Sequence, residues 1–325
     1  MDAGRAVGCA IIPYLQVSFP WLLAPMLAFS VLGSPEAYLF VLAALFWCGN
    51  ARLGLRAALL LGISAGANDA LKMAFHTPRP SWTDPGVTAL AAESGFALPS
   101  AHAQLAAGFW GLVAVSLRRR RIWLACGLLL LLIGASRIYL GVHAPLDVVA
   151  GWVAGLAILA AFLVAEARFG PTIRTWPLSR TIAAALCLSL AIPAATMLVL
   201  GLQGDWQVPA AWVEAASAQT GIVIDPQDPS NSFLAGGLVV GVAAGAAWCS
   251  TRGLSPGPAA APLLLRRLLA GAAGVLFIWL ATAPLIAMTA NEACVLSYLQ
   301  GALLGLWTAG GAPALFSRLG LAGEK

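Results

Sequence analysis

Long apolar runs dominate the chain, and arginine clusters, prolines or short polar loops break them at nearly regular intervals. A helix needs about 20 apolar residues to cross a hydrocarbon core of about 30 Å, and stretches such as 122–142 and 145–167 have that length. Reading the runs against their breakers predicts helical spans at 9–33, 35–50, 54–75, 99–117, 122–142, 145–167, 181–203, 232–249, 267–289 and 294–317. Pro13, Pro20 and Pro25 interrupt the first, so it is expected to lie partly in the membrane interface. The second is short for a crossing. Nine or ten crossings are therefore expected. Barrel strands would show short alternating segments instead, so the predicted fold class is all-α: a polytopic transmembrane helical bundle. Six spans fall in residues 1–167 and about four more in 181–325.

Composition agrees with this pattern. Of the 325 residues, 60% are hydrophobic and 10% charged, where soluble domains carry about 25% charged residues. The net charge of +5 comes mostly from arginines in short loops. Arg52 and Arg56, the run 118–121, Arg168, Arg174 and Arg180, Arg252, Arg266 and Arg267, and Arg318 all fall on one side, which the positive-inside rule makes cytoplasmic. The opposite side receives the 76–98 loop, the turn near His143 and the 203–230 loop, whose Asp205, Glu214, Asp225 and Asp228 have no Lys or Arg among them. This basic pattern is a topology signal, and no nucleic-acid partner is expected. The six cysteines stand singly, with no CxxC or Cys/His cluster, so neither a zinc site nor a disulfide is expected. The topology suits a bacterial inner membrane and an endoplasmic-reticulum membrane alike, and the high Ala, Gly and Leu content favours a bacterial source and so the inner membrane. Gly237, Gly241 and Gly245, and likewise Gly151 and Gly155, form small-residue faces suited to helix packing within the chain or to homo-oligomer contacts.

Against this background three places carry polar groups that are expensive at membrane depth. Lys72 ends one span and is followed by Arg79-Pro80. Pro99-Ser100-Ala101-His102 opens the next. Ser136-Arg137 precedes His143 and Asp147. By the derived topology all three lie at the non-cytoplasmic, periplasmic face. Lys72, Arg79 and Arg137 supply three cations suited to phosphate oxygens. A helix opening after Pro99 would leave the N–H groups of Ser100, Ala101 and His102 pointing at an anion. His143 and Asp147 are i and i+4, on one face if helical, so Asp147 can hold one imidazole nitrogen while the other attacks. His102 remains to protonate a leaving oxygen. Asp69, one turn before Lys72, is placed to pair with it or to hold its side chain. His76, between Lys72 and Arg79, is a loop residue within reach of a substrate.

K-x6-RP, PSxH and SR-x5-H-x3-D, in that order, resemble the three motifs of the type 2 phosphatidic acid phosphatase superfamily, whose members include lipid phosphate phosphatases and glucose-6-phosphatase. Here they are Lys72…Arg79-Pro80, Pro99-Ser100-Ala101-His102 and Ser136-Arg137…His143…Asp147. The resemblance covers residues 1–167 as a six-span phosphatase core carrying all three motifs; 181–325 lie outside it. It implies a phosphohistidine on His143 oriented by Asp147, and His102 as general acid. It also implies Lys72, Arg79, Ser100 and Arg137 as phosphate ligands, with no metal or other cofactor. One departure is Ala101, where the family usually has glycine; its N–H survives, and only close backbone approach is affected. The expectation is an integral membrane phosphatase acting on a lipid phosphate monoester or diphosphate. The alternatives are a phosphatase for a soluble sugar phosphate, a lipid phosphotransferase, and a transporter or scaffold that has lost catalysis.

Overall fold

In a computed structural model the regular structure is all helical, with no strand among the described residues, which are 3–254, 256–257, 259–289 and 292–323. Along the chain run α1 (Ala3–Ser18), α2 (Leu23–Leu32), α3 (Pro35–Cys48), α4 (Ala51–Phe75), the single turn α5 (Pro80–Thr83), α6 (Ala101–Leu117), α7 (Arg120–Tyr139) and α8 (Pro145–Ile173). They are followed by α9 (Leu178–Leu202), α10 (Ala210–Thr220), α11 (Ser230–Arg252), α12 (Ala261–Met288), α13 (Ala293–Leu306) and α14 (Ala312–Arg318).

Six of the described stretches are long and apolar enough to cross a membrane: Arg120–Tyr139, Pro145–Ile173, Leu178–Leu202, Ser230–Arg252, Ala261–Met288 and Ala293–Arg318. A seventh is available if the bent pair Ala10–Ser18 and Pro20–Leu32 is counted as one span. That is fewer than the nine or ten read from the apolar runs. The runs at 35–50 and 99–117 fold as helices of only 14 and 17 residues, short of the roughly 20 that a crossing needs. α4 is long enough but carries Arg52, Arg56, Asp69 and Lys72. The first segment is broken as its prolines suggest: the pair bends by 91° at Phe19–Pro20, where proline cannot continue the preceding hydrogen-bond ladder.

The chain forms two compact units, each assembled from separate stretches. One comprises residues 1–37, 68–160 and 196–228; the other comprises 38–67, 161–195 and 229–325. In the first unit α7 packs against α6 and α2. The connection between α6 and α7 lies in the arginine run itself: Arg118 adopts a left-handed conformation (φ +51°), closing α6 before α7 begins at Arg120. Gly151 and Gly155 of α8 bring that helix onto the opening turns of α6. A Cβ on Gly151 would stand 2.6 Å from the Ser100 carbonyl, and one on Gly155 2.2 Å from that of Gln104.

In the second unit α11 and α13 form the tightest pairing. A Cβ on Gly237 would stand 1.9 Å from the Tyr298 carbonyl, and one on Gly241 2.2 Å from that of Ala302. Gly245 similarly faces Gly310 and Ala309. Both small-residue stripes thus pack helices within the chain, the first of the two uses expected of them. The same unit buries Arg267, whose guanidinium donates to the carbonyls of Trp47 (3.0 Å), Gly257 (2.9 Å) and Leu321 (2.6 Å), tying three segment ends together.

Gly237→Val should therefore lower the stability of the purified protein by about 3 kcal/mol, read as a lower melting temperature, since backbone rather than a flexible side chain blocks the new atoms. Gly127→Ala, where an added Cβ meets nothing within 4 Å, should leave the melting temperature unchanged or slightly raised in the same assay.

Candidate active site

The three motifs meet in the first unit, and backbone carbonyls hold the cations. Lys72, in the last turn of α4, donates from Nζ to the Phe96 carbonyl at 2.6 Å. Arg79 lies just before α5 and is 1% exposed. It donates from Nε to the Gly95 carbonyl (2.7 Å), from Nη1 to the Val142 carbonyl (3.0 Å) and from Nη2 to the Phe96 carbonyl (3.4 Å). Lys72 and Arg79 thus share one acceptor. Arg137, in the last turn of α7 and equally buried, donates from Nη1 to the Ser30 hydroxyl of α2 and from Nη2 to Glu93.

His143 sits in the turn ahead of α8, outside the helix. Its pairing with Asp147 therefore comes from a folded turn and not from one helical face, as the i, i+4 spacing had suggested. Asp147 lies in the first turn of α8, where a carboxylate suits the positive end of the helix. It accepts the Ala144 N–H at 2.8 Å, closing that turn, and the same Oδ2 stands 3.6 Å from His143 Nδ1. On the other side of the ring, Arg79 Nη1 is 3.3 Å from Nε2. Guanidinium nitrogens only donate, so Nε2 is the acceptor, and in the neutral ring the hydrogen sits on Nδ1, facing Asp147. Burial first, then the Arg79 and Arg137 cations, hold the His143 pKa well below its ordinary value, which keeps the ring neutral at neutral pH.

Ser100 precedes α6, and its N–H donates to the Asp147 backbone carbonyl at 2.9 Å. This removes it from the free donors expected at that helix start. The first intrahelical bond is Gln104 N–H to the Ser100 carbonyl, so the N–H groups of Ala101 and His102 remain first-turn donors without an intrahelical acceptor. The same bond makes Ser100 the tie between the second and third motifs. Asn68, one turn before Lys72, adds another tie, donating to the Pro99 carbonyl (3.2 Å) and to Gln104 Oε1 (2.8 Å). Asp69 is buried beside it, while the ammonium of Lys72 points to Phe96. His102 opens α6 close to Gly33 at the end of α2.

His76 stands in the loop that follows α4. It takes a positive φ of 44°, and its ring packs on Trp206 at 4.4 Å and edge-on to Phe96 at 5.6 Å. Through these two rings it lies against an apolar cluster of Met73, Trp82, Phe96, Ala216 and Ile224 that seats the 203–228 segment on the loop following α4.

Two groups of residues carry the site without belonging to any motif. Glu93, known from sequence only as an acidic loop residue, bridges the two guanidiniums: Oε2 accepts from Arg79 Nη2 at 3.4 Å, and Oε1 accepts from Arg137. Burial alone would raise its pKa, but Arg79 and Arg137, helped by His102 and Lys72, lower it to about 2. The second group is a pair of glutamines that grip the loop between Arg79 and Glu93. Gln16 of α1 donates to the Thr88 carbonyl (2.8 Å) and accepts the Thr88 N–H (3.3 Å), while donating also to the Tyr139 carbonyl (3.0 Å). Gln219 of α10 accepts the Ala89 N–H (2.7 Å) and donates to the carbonyls of Ser81 (3.0 Å) and Val87 (3.3 Å). Periodicity and spacing give no signal for such contacts, because each joins segments more than 70 residues apart.

Residues 53–171 match the PAP2 superfamily, and residues 233–324 match the transmembrane extension of PAP2 superfamily phosphatases. Phosphatidylglycerophosphatase B of Bacillus subtilis (strain 168) is 30% identical over 158 residues, which cover 45% of this chain and 74% of that protein. The chain belongs to the PAP2 superfamily. It is a membrane-embedded phosphatase, a phosphoric ester hydrolase of a family of lipid phosphatases. Lipid phosphate phosphatase delta of Arabidopsis thaliana is 31% identical over 144 residues, 39% of this chain and 34% of that protein. A crystal structure described as the first transmembrane PAP2 type phosphatidylglycerolphosphate phosphatase from Bacillus subtilis is 26% identical and covers 52% of this chain and 88% of its own, with a TM-score of 0.44. In this PAP2 phosphatase, α1 and α10, which bring Gln16 and Gln219, lie outside both matched stretches.

Gln219→Leu and Gln16→Leu should each keep the fold and lower kcat/KM for a lipid phosphate by about tenfold, since displacements of about 1 Å at reacting groups cost up to about 100-fold. Turnover of a short-chain lipid phosphate by the purified variants checks this. The double variant should fall below either single one.

Proposed function

We propose that this protein hydrolyses a lipid phosphate monoester or diphosphate through a phosphohistidine on His143, without a metal, at the periplasmic face of a bacterial inner membrane. The observation that carries the reading is the geometry of His143: Nδ1 turned to Asp147, and Nε2 holding its lone pair toward Arg79. A neutral imidazole with the lone pair on Nε2 is the form a nucleophile requires. Residues 1–167 form the catalytic core that carries all three motifs, and 181–325 add further transmembrane helices.

In the first step Nε2 attacks phosphorus and the ester P–O bond breaks. Lys72, Arg79, Arg137 and the N–H groups at the start of α6, with Ala101 foremost and Ser100 fixing the turn, stabilise the charge spread over the equatorial oxygens. His102 gives its proton to the departing alkoxide. In the second step water attacks the phosphohistidine, His102 takes back a proton, the P–N bond breaks, and inorganic phosphate leaves with His143 neutral again. Asp147 stabilises the ring as positive charge develops on it. Three cationic side chains supply the charge that a divalent metal supplies in other phosphatases. Asp69 acts one turn behind Lys72 in support of its position. The name of the 30% identical relative makes phosphatidylglycerol phosphate the first substrate to try.

Wild type should release phosphate from a lipid-phosphate panel in EDTA and without an added alcohol acceptor, and His143→Ala should lose about 10⁴-fold or more of that activity. Equal activity in both proteins would remove His143 as nucleophile; loss in EDTA would establish a metal. Preference for glucose 6-phosphate over every lipid would move the substrate to a soluble sugar phosphate, and a requirement for an alcohol acceptor would make the enzyme a phosphotransferase. Inactivity of wild type on every substrate, with or without an acceptor, would support a transporter or scaffold.

The value of kcat/KM should fall on the acid side, where His143 becomes protonated and can no longer attack. His143 is depressed, so it becomes protonated and inactive only well below the ordinary histidine value of about 6.5. An acid limb at 6.5 or above would contradict this assignment.

A further inference from the structure

We propose that Glu93 is an internal anion that fills the phosphate cradle at rest and is displaced by the substrate's phosphate. The inference rests on the reading of Arg79 and Arg137 as phosphate ligands and adds what occupies them before substrate arrives.

The carboxylate spans the two guanidiniums, one oxygen on each, the way two oxygens of a phosphate would. It stays ionised across the working pH range, because the surrounding cations hold its pKa near 2. Glu93 is also the exposed partner of this triad: its side chain is 26% accessible, against 1% and 2% for the two arginines. An incoming anion meets the carboxylate first.

The backbone around Glu93 is built so that this one residue can leave while the cradle stays. On one side the loop is held at Thr88 by Gln16, at Ala89 by Gln219, and at Leu90, whose N–H donates to the Leu140 carbonyl at 2.9 Å. On the other side Gly95 and Phe96 are held through their carbonyls by Arg79 and Lys72, and Ala97 donates to the Thr77 carbonyl at 2.9 Å. Between these anchors lie only residues 91–94, an irregular stretch with Ala92 and Ser94 exposed. The guanidiniums keep their fixed bonds when Glu93 goes: Arg79 to Gly95 and Val142, and Arg137 to Ser30. Displacement exchanges one anion for another on arginines that hold their places.

A resident competitor weakens every anion that must replace it. Removing the carboxylate should therefore tighten phosphate binding, whereas a carboxylate that merely braced the arginines would weaken binding when removed. The test uses the full-length protein in detergent and inorganic phosphate as a competitive inhibitor of a short-chain lipid phosphate. Glu93→Gln and Glu93→Ala should lower the inhibition constant of phosphate by about tenfold, the scale of one charge-assisted hydrogen bond. Glu93→Asp, one methylene too short to span both arginines, should lie between them and wild type. An unchanged or raised constant in Gln and Ala variants that melt like wild type would overturn the proposal.

Hydrogen exchange on wild type gives an answer that needs no variant. Saturating phosphate should speed amide exchange in residues 91–94; slower or unchanged exchange there would overturn the proposal. Arg137→Ala separates the two layers of argument. If phosphate inhibits wild type and Arg137→Ala weakens it while Glu93→Gln does not tighten it, only the displaced anion is wrong. If Arg137→Ala leaves phosphate inhibition unchanged, the cradle itself is wrong and the displaced anion falls with it.

Discussion

Two guanidiniums and an ammonium are buried together at the edge of a membrane protein, and the rest of the first unit follows from making that tolerable. Uncompensated charge in such surroundings costs several kcal/mol per ion even after relaxation. Glu93 answers part of it between the two arginines, and Asp69 is buried one turn before Lys72. The remainder is met by main-chain oxygens of Gly95, Phe96 and Val142 and by the Ser30 hydroxyl. Carbonyl dipoles satisfy the N–H groups without cancelling the charge on the three side chains, which keeps each of them suited to an anion.

Those carbonyls belong to irregular backbone. The stretch from His76 to Ser100 contains one short turn, α5, and no other helix, so it has little hydrogen-bond ladder of its own to fix where Gly95 and Phe96 point. Anchoring comes from outside. The aromatic cluster around Trp206, Trp212, Trp82 and Phe96 seats one side. The glutamine pair then fixes Thr88 and Ala89 from α1 and α10, and Gln203 donates to the Met73 carbonyl at 2.6 Å near the end of α4. Segments with no resemblance to a phosphatase motif thus set the coordinates of the residues that have one.

This division explains what could be read from the sequence. Lys72, Arg79, His102, Arg137, His143 and Asp147 stood out because ionisable groups are rare in a chain that is 10% charged, and their spacings repeat a known pattern. The all-helical membrane class was equally visible in the apolar runs. The number of crossings was not: the runs at 35–50 and 99–117 fold as helices of only 14 and 17 residues, bounded by Ser34 and Asn50 and by Ser100 and the arginine run. The fate of the Ser100 N–H was hidden too, because its acceptor, the Asp147 carbonyl, belongs to a different motif. Glu93, Ser30, Gln16 and Gln219 are ordinary residues whose importance arises only from which segments meet. Of these, Glu93 left one trace: with Asp84 it is one of two carboxylates between the first and second motifs.

The shape of Glu93 also bears on why a cradle already satisfied at rest should favour catalysis. A carboxylate is planar and offers two oxygens, which match Arg79 and Arg137. A phosphoryl group passing between two apical atoms presents three equatorial oxygens carrying the developing charge. The third oxygen would call on Lys72, whose ammonium has three donors and gives one to Phe96, and on the opening N–H groups of α6. These contacts are beyond the reach of a carboxylate already shared between two arginines. Interactions available to the transition state and not to the resting anion raise the rate, while those common to both set only the affinity. On this account the arginines govern exchange of one anion for another, and Lys72 with the start of α6 distinguishes a phosphoryl group in transfer from any carboxylate that takes its place.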